Sequence, residues 1–341
     1  MPQFVRRALT LTACMALMLS GAAMAQSYKL QNLTSNLSGK AKHTDVLLAN
    51  PWGLAYGPSA PFWISDEASG YSTLYDGQGN PQPLQVIVPP TSGTVKGTPT
   101  GIVYNGSTEF QIEHWTSLFL FATIDGTISG WSDFFPSAAL IGARKTGAVY
   151  TGLAITSKVS GNFLYAADVA GNKVDIYNAT FALVGSMTDP TIPAGFSAFG
   201  VQDIAGQVYV TYANSTGGPG GFVDIFTEAG TFVKRLVKGK PLNQPWGLAV
   251  ASNNFGPFSG DLLVSNNTAT GTINAFNLTT GAAAGTLKNA AGKPLAINGL
   301  WGIEFGGGSA ANGGKNQLFY TAGPNDTDGY FGVISFVKPA N

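Results

Sequence analysis

Asn50-Pro51-Trp52-Gly53-Leu54-Ala55-Tyr56 returns as Gln244-Pro245-Trp246-Gly247-Leu248-Ala249-Val250 and, shortened, as Leu300-Trp301-Gly302-Ile303-Glu304-Phe305. Looser copies stand between them: Thr98-Pro99-Thr100-Gly101-Ile102-Val103-Tyr104, Tyr150-Thr151-Gly152-Leu153-Ala154-Ile155 and Phe199-Gly200-Val201-Gln202. The shared glycines are 48, 51, 48, 47 and 55 residues apart, close to the roughly 40–50 residues of a four-stranded propeller blade. The first copy continues into four short runs, at 52–56, 62–66, 71–75 and 84–88. They are rich in β-branched or aromatic residues and bounded by Gly, Pro, Asn or Asp, which reads as strands and turns. The sequence therefore predicts an all-β, six-bladed propeller with repeats starting near 50, 98, 149, 197, 244 and 298.

The ends of the chain refine this expectation. The sixth copy supplies three strands before the sequence stops, and Tyr28-Lys29-Leu30-Gln31-Asn32-Leu33-Thr34 is a strand-like run with no place in the first copy. Pairing it beside the third strand of blade six would close the ring and cover an edge that otherwise templates aggregation.

Composition agrees with such a fold. Gly and Pro, 45 and 19 of 341 residues, make up nearly a fifth of the chain, against an average of about 12%. Charged residues are only 11%, less than half the usual share of about 25%. The formal net charge is zero, so a nucleic acid held by a basic face is excluded as partner, and no anionic membrane surface is implied.

The first 25 residues read as a removable signal peptide, leaving one propeller domain over 26–341. Arg6 and Arg7 precede an apolar run at 8–19, and Ala23-Met24-Ala25 is an A-x-A site ahead of Gln26. The run is shorter than the ~20 residues that span a bilayer, so a soluble, exported, monomeric protein is expected, in the periplasm or outside the cell. A lipid anchor on Cys14 is the weaker alternative, because few apolar residues precede it. Cys14 is also the sole cysteine, so the expected mature chain has no disulfide, no thiolate nucleophile and no cysteine-ligated metal.

The third copy, with Asn162-Phe163-Leu164-Tyr165-Ala166-Ala167-Asp168 and Gly171-Asn172-Lys173-Val174-Asp175-Ile176-Tyr177, resembles an NHL-type propeller repeat. The first copy, with Phe62-Trp63-Ile64-Ser65-Asp66 and Thr73-Leu74-Tyr75-Asp76-Gly77, resembles an uncharacterised family of exported bacterial propeller proteins. That resemblance implies fold and export and carries no activity.

Three columns of the repeat hold the candidate chemistry. Trp52, Trp246 and Trp301 immediately precede the shared glycine. They would either line the mouth of the axis and stack on a small molecule, glycan or peptide, or pack as wedges between blades. With Gln202 and the asparagines Asn50 and Asn298, they form the expected ligand face. Two residues after the glycine, Glu304 and Gln202 interrupt an apolar column. Glu304 is the candidate catalytic carboxylate, because a Glu there is costly to bury unless it is paired, liganded or wetted. At the ends of the second strands stand Asp66, Asp168 and Asn266, with Asp125, Asn214 and Asn325 in looser register. Oxygens ringing an axis suit Ca²⁺, and a comparable set serves in six-bladed calcium lactonases. Asp or Asn beside a turn is equally read as backbone capping. Two functions are open: a binding module for a small molecule, glycan or protein, or a Ca²⁺-dependent hydrolase or lyase built on Glu304 with Asp66 and Asp168.

Overall fold

The structure, a computed structural model, describes residues 27–92 and 96–338. The expected leader and Cys14 lie outside the described residues. Six sheets are arranged as the repeat demands. Blade one is Pro51–Ala55, Phe62–Asp66, Tyr71–Tyr75 and Pro81–Ile87, each strand antiparallel to the next. Blades two to five begin with the inner strands Pro99–Tyr104, Tyr150–Ile155, Phe196–Ile204 and Pro245–Val250 and repeat this order outward. The outer strand of blade one starts earlier than its hydrophobic run, at Pro81. An edge strand has one row of N–H groups facing solvent, so Pro81 and Pro83 cost no ladder bond there.

Blade six contains Leu300–Phe305, Gln317–Ala322 and Tyr330–Val337, and Ser27–Ser35 supplies its fourth strand. That strand runs antiparallel to Tyr330–Val337 in a register that sets Tyr28 opposite Phe336 and Ser35 opposite Tyr330. The predicted closure is therefore present. Tyr28 fixes it: its hydroxyl donates to the Phe255 carbonyl at 2.8 Å, and its ring lies 4.9 Å from Phe255 and 5.6 Å from Phe336. His43–Thr44 then pairs in parallel outside the new strand.

The hydrophobic core is divided among the seams between blades. Six clusters each join neighbouring blades; one sets Ala55, Trp63 and Leu74 of blade one against Ile102, Phe119 and Phe121 of blade two. A seventh, on the axis, is formed by Trp52, Trp246, Trp301 and Phe199.

The shared glycines explain how six sheets approach so closely. A Cβ on Gly53 would stand 2.6 Å from the Thr100 carbonyl oxygen of blade two, and one on Gly247 2.8 Å from the Trp301 oxygen of blade six. One on Gly302 would meet the Trp52 oxygen at 2.8 Å, which completes the circle, and the tightest such approach is Gly200 against Trp246. Each glycine thus leaves room for the backbone of the following blade. At every one of them the ladder to the second strand shifts register, a β-bulge repeated six times.

Hydroxyls bridge this ring in two ways. In blades two and three, Thr100 and Thr151 precede the glycine and donate to Tyr150 O at 2.8 Å and Phe199 O at 2.7 Å. In blades four to six that position is aromatic, and the hydroxyl comes from the second strand. Ser265 donates to Trp301 O at 2.6 Å, Thr321 to Trp52 O, and Thr211 to Trp246 O at 3.4 Å. Blade one also has an aromatic there, but Ser65 Oγ is buried with no hydrogen-bond partner among the described residues.

Candidate functional site

The inner strands define an axis with two unlike ends. At the end where they begin, Trp52 and Trp301 stack with centroids 3.6 Å apart at 17°. Trp246 stands edge-on to both, at 6.3 and 5.7 Å. Their exposures are only 5–8%, so the three rings fill the axis and present almost no open surface for stacking. Trp246 Nε1 donates to Thr151 O at 2.8 Å and Trp301 Nε1 to Asn50 Oδ1 at 3.3 Å, while Trp52 Nε1 is buried without a partner among the described residues. Asn50 holds a left-handed backbone, φ 47°, and donates from Nδ2 to Glu67 Oε2 at 2.8 Å. It serves as a relay behind the indoles. Asn298 is exposed, in the turn ahead of the inner strand of blade six.

Beyond the glycine ring the axis opens into a cavity of about 310 Å³. Trp246 and the six glycines form its floor, and one aliphatic residue per blade forms a collar: Leu54, Ile102, Leu153, Val201, Leu248 and Ile303. Polar residues also line the cavity, namely Glu304, Tyr56, Gln202 and Asp203. Glu304 stands where blades one, three and five place alanine. Among the described residues neither it nor Gln202 has a hydrogen-bond or ion-pair partner. Burial pushes the Glu304 carboxyl up to about 8. Tyr56 is pushed up to about 12, by burial first and then by the neighbouring Glu304 charge. Asp203 is raised by burial as well, and its Oδ2 is buried with no partner among the described residues. A carboxyl near pKa 8 is protonated at neutral pH and offers an O–H donor to a ligand carbonyl or ether oxygen.

The column at the second-strand ends is hydrogen-bonded to nearby backbone and side chains, except for Asp66 Oδ1, which is buried with no partner among the described residues. Asp66 Oδ2 accepts the backbone N–H of Thr73 at 3.1 Å and its hydroxyl at 2.6 Å. Asp168 Oδ1 accepts N–H groups of Val149 and Gly171 at 3.0 and 3.1 Å. Asn266 accepts from Asn243 N at 3.0 Å and donates to Pro241 O at 2.9 Å. Asp125 and Asn214 bind the backbone N–H groups of Thr91 and Thr216. Asp66, Asp168 and Asn266 pair with Pro51, Tyr150 and Pro245, where the inner strands begin. Glu304 is at the opposite end, about four residues and roughly 13 Å along a strand. The calcium set expected from the sequence is therefore not assembled, and no group of three His, Cys, Asp or Glu among the described residues could hold a metal ion. The residues do not fit calcium.

Tyr56 and Asp203 escaped the sequence reading although the repeat contains them. Both lie three residues beyond a shared glycine, one step past the column from which Glu304 was chosen.

No family model matches the chain. It is 31% identical over 338 aligned residues to the uncharacterized protein R648 of Acanthamoeba polyphaga mimivirus, an alignment covering 90% of this chain and 80% of that protein. That relative is viral, whereas the motif resemblance pointed to exported bacterial proteins. Among solved structures, a gluconolactonase from Xanthomonas campestris superposes with TM-score 0.56 at 13% identity, covering 85% of this chain and 86% of that one. An inactive virginiamycin B lyase from Staphylococcus aureus, with quinupristin, superposes with TM-score 0.55 at 12% identity, covering 91% and 100%. At such identities the likeness is one of fold. Among the described residues no helix is long and apolar enough to cross a membrane.

Proposed function

The chain belongs to the family of the mimivirus protein R648, and from the geometry of its axis we propose that it is a binding module for a small molecule, held beyond the glycine ring. One observation carries this reading. An aliphatic collar closes one end of a cavity that Glu304 and Gln202 also line, and neither side chain has a protein partner among the described residues. A carboxyl withdrawn from bulk water is normally hydrogen-bonded, so the unpartnered Glu304, with Gln202 free beside it, supports a bound polar ligand. Glu304 and Tyr56 would donate hydrogen bonds, Gln202 would donate or accept, and the collar would exclude water around the apolar part. The tryptophans would act from below, with Trp246 forming the floor. A metal-dependent hydrolase finds no support in the position of Asp66 and Asp168, which are tied to their own turns.

The test is a thermal-shift screen of a metabolite library on wild type and Gln202→Trp. Gln202 is exposed and unbonded among the described residues, so the substitution fills the cavity and spares the core. A ligand at 100 times its Kd stabilises by about 2.7 kcal/mol. Hits should lose their shift in Gln202→Trp. Hits that keep it bind elsewhere and contradict the reading.

We also propose export, supported by the basic and apolar pattern of residues 1–25. N-terminal sequencing of protein recovered outside the cytoplasm should begin at Gln26; an intact Met1 terminus would contradict it.

A further inference from the structure

The lining of the axial cavity is uneven in charge. Among the described residues no Lys, Arg or His contributes to it, and its ionisable groups are Glu304, Tyr56 and Asp203. Asp203 Oδ1 accepts the Gly206 N–H at 3.4 Å, and its Oδ2 is sealed in the protein without a partner among the described residues. Glu304, half-buried and unbonded, is the carboxyl that a molecule in the cavity can meet. The strands packed against Leu300–Phe305 are chiefly Pro51–Ala55, Pro245–Val250, Leu262–Asn266 and Gln317–Ala322. The titratable groups they bring are two phenols: Tyr56, just beyond the first, and Tyr320, which donates its hydroxyl to Asn32. An anion would find no counter-charge on these walls, and an unpaired charge is strongly disfavoured there. Tyr56, Trp246 and Phe305 add aromatic rings to the lining, side chains on which organic cations are commonly held.

Resting on the axial reading above, we infer that the ligand is a small primary amine, its nitrogen bound to the Glu304 carboxyl and its apolar body enclosed by the aliphatic collar. The carboxyl donates its proton to the lone pair of the amine, leaving a carboxylate and an ammonium whose charges cancel inside the cavity. The remaining ammonium N–H groups need acceptors, and the Gln202 amide oxygen is one. A cation gains from Glu304 what an amide cannot give, a full opposite charge. A neutral ligand would be served as well by glutamine, which blade four carries at this position of the repeat. In water below about pH 8 the free amine and the empty Glu304 each carry a proton, whereas the complex keeps one between them. Binding therefore releases a proton, and affinity should rise about tenfold per pH unit until Glu304 ionises unaided.

The experiment titrates hexylamine, hexan-1-ol and hexanoate into the protein, read by calorimetry in buffers of differing ionisation heat. At pH 8 hexylamine should bind about tenfold tighter than hexan-1-ol, with hexanoate the weakest of the three. From pH 5 to 7 amine affinity should rise about tenfold per unit with release of about one proton, while alcohol affinity stays level. In Glu304→Gln the amine should bind no tighter than the alcohol and release no proton. Amine equal to alcohol in wild type, hexanoate tighter than the amine, amine binding without proton release, or an amine preference kept in Glu304→Gln each overturns the inference. The wild-type proton count decides the matter even if Glu304→Gln fails to fold. Absence of hexylamine binding overturns the amine alone, because the axial reading is judged separately by the Gln202→Trp screen.

Discussion

The two ends of the propeller axis begin from the same six glycines and diverge within one residue. Before the glycine, blades one, four, five and six carry aromatic rings, which meet on the axis and exclude almost all solvent. After it, every blade carries Leu, Ile or Val, too short to meet across the same gap, and a cavity of about 310 Å³ remains. Side-chain length therefore decides which end is packed and which stays open. The backbone ring is common to both, so damage at the sealed end should register as lost stability and damage at the open end as lost binding.

The largest effect expected is for Trp301→Ala, which removes a ring stacked on Trp52 and edge-on to Trp246. Truncating a buried aromatic costs about 3–5 kcal/mol, to be read by chemical denaturation. A cost below about 1 kcal/mol would mean that the indoles are a solvated mouth. Gly200→Ala ranks next, at roughly 1–3 kcal/mol or somewhat more, because its Cβ drives into the Trp246 carbonyl. Gly185→Ala is its control, since a Cβ there meets its nearest atom, the Ile176 Cδ1, at 3.6 Å; equal losses would undo the glycine-ring argument. Thr321→Val should cost about 1–3 kcal/mol, since the Thr321 hydroxyl both donates to Trp52 O and accepts Gly302 N at 2.9 Å. Ser65→Ala, whose hydroxyl has no partner among the described residues, should cost little or nothing.

Glu304→Gln sharpens the comparison from the open end. The folded carboxyl has its pKa raised to about 8 from an ordinary value of 4.5. Between these values the folded state holds a proton that the unfolded state has released. The stability from Glu304 is then complete below about pH 4.5, declines as pH rises, and is exhausted above about 8. Gln has no proton to lose. Melting temperatures from pH 5 to 9 should therefore show the variant gaining on wild type as pH rises; parallel curves would mean that Glu304 is solvated and ordinary.

The glycine period and the unassigned run at Tyr28 were enough to read the ring and its closure from sequence, because both arise from backbone sterics and edge pairing. The turn role of Asp66, Asp168 and Asn266 was also legible, in the glycine-containing turn that follows each of them. The site was harder to read. Strand alternation counted straight through the shared glycine assumes an unbroken ladder, yet all six ladders shift register there. A bulge re-aims the side chains beyond it, so Tyr56 and Asp203 reach the cavity from a column that plain alternation passes over. Whether three indoles form a mouth or a plug depends on how closely six blades approach. No single repeat encodes that distance.

The most direct measurement is a crystal structure of the protein soaked with hits from the thermal-shift screen, read for density on the axis. The account predicts a ligand beside Glu304 and Tyr56, above the floor made by Trp246, with the three indoles in mutual contact and undisturbed. Ligand inserted between Trp52 and Trp301, or found only at the exposed Trp115 and Phe134 pair on blade two, would contradict it.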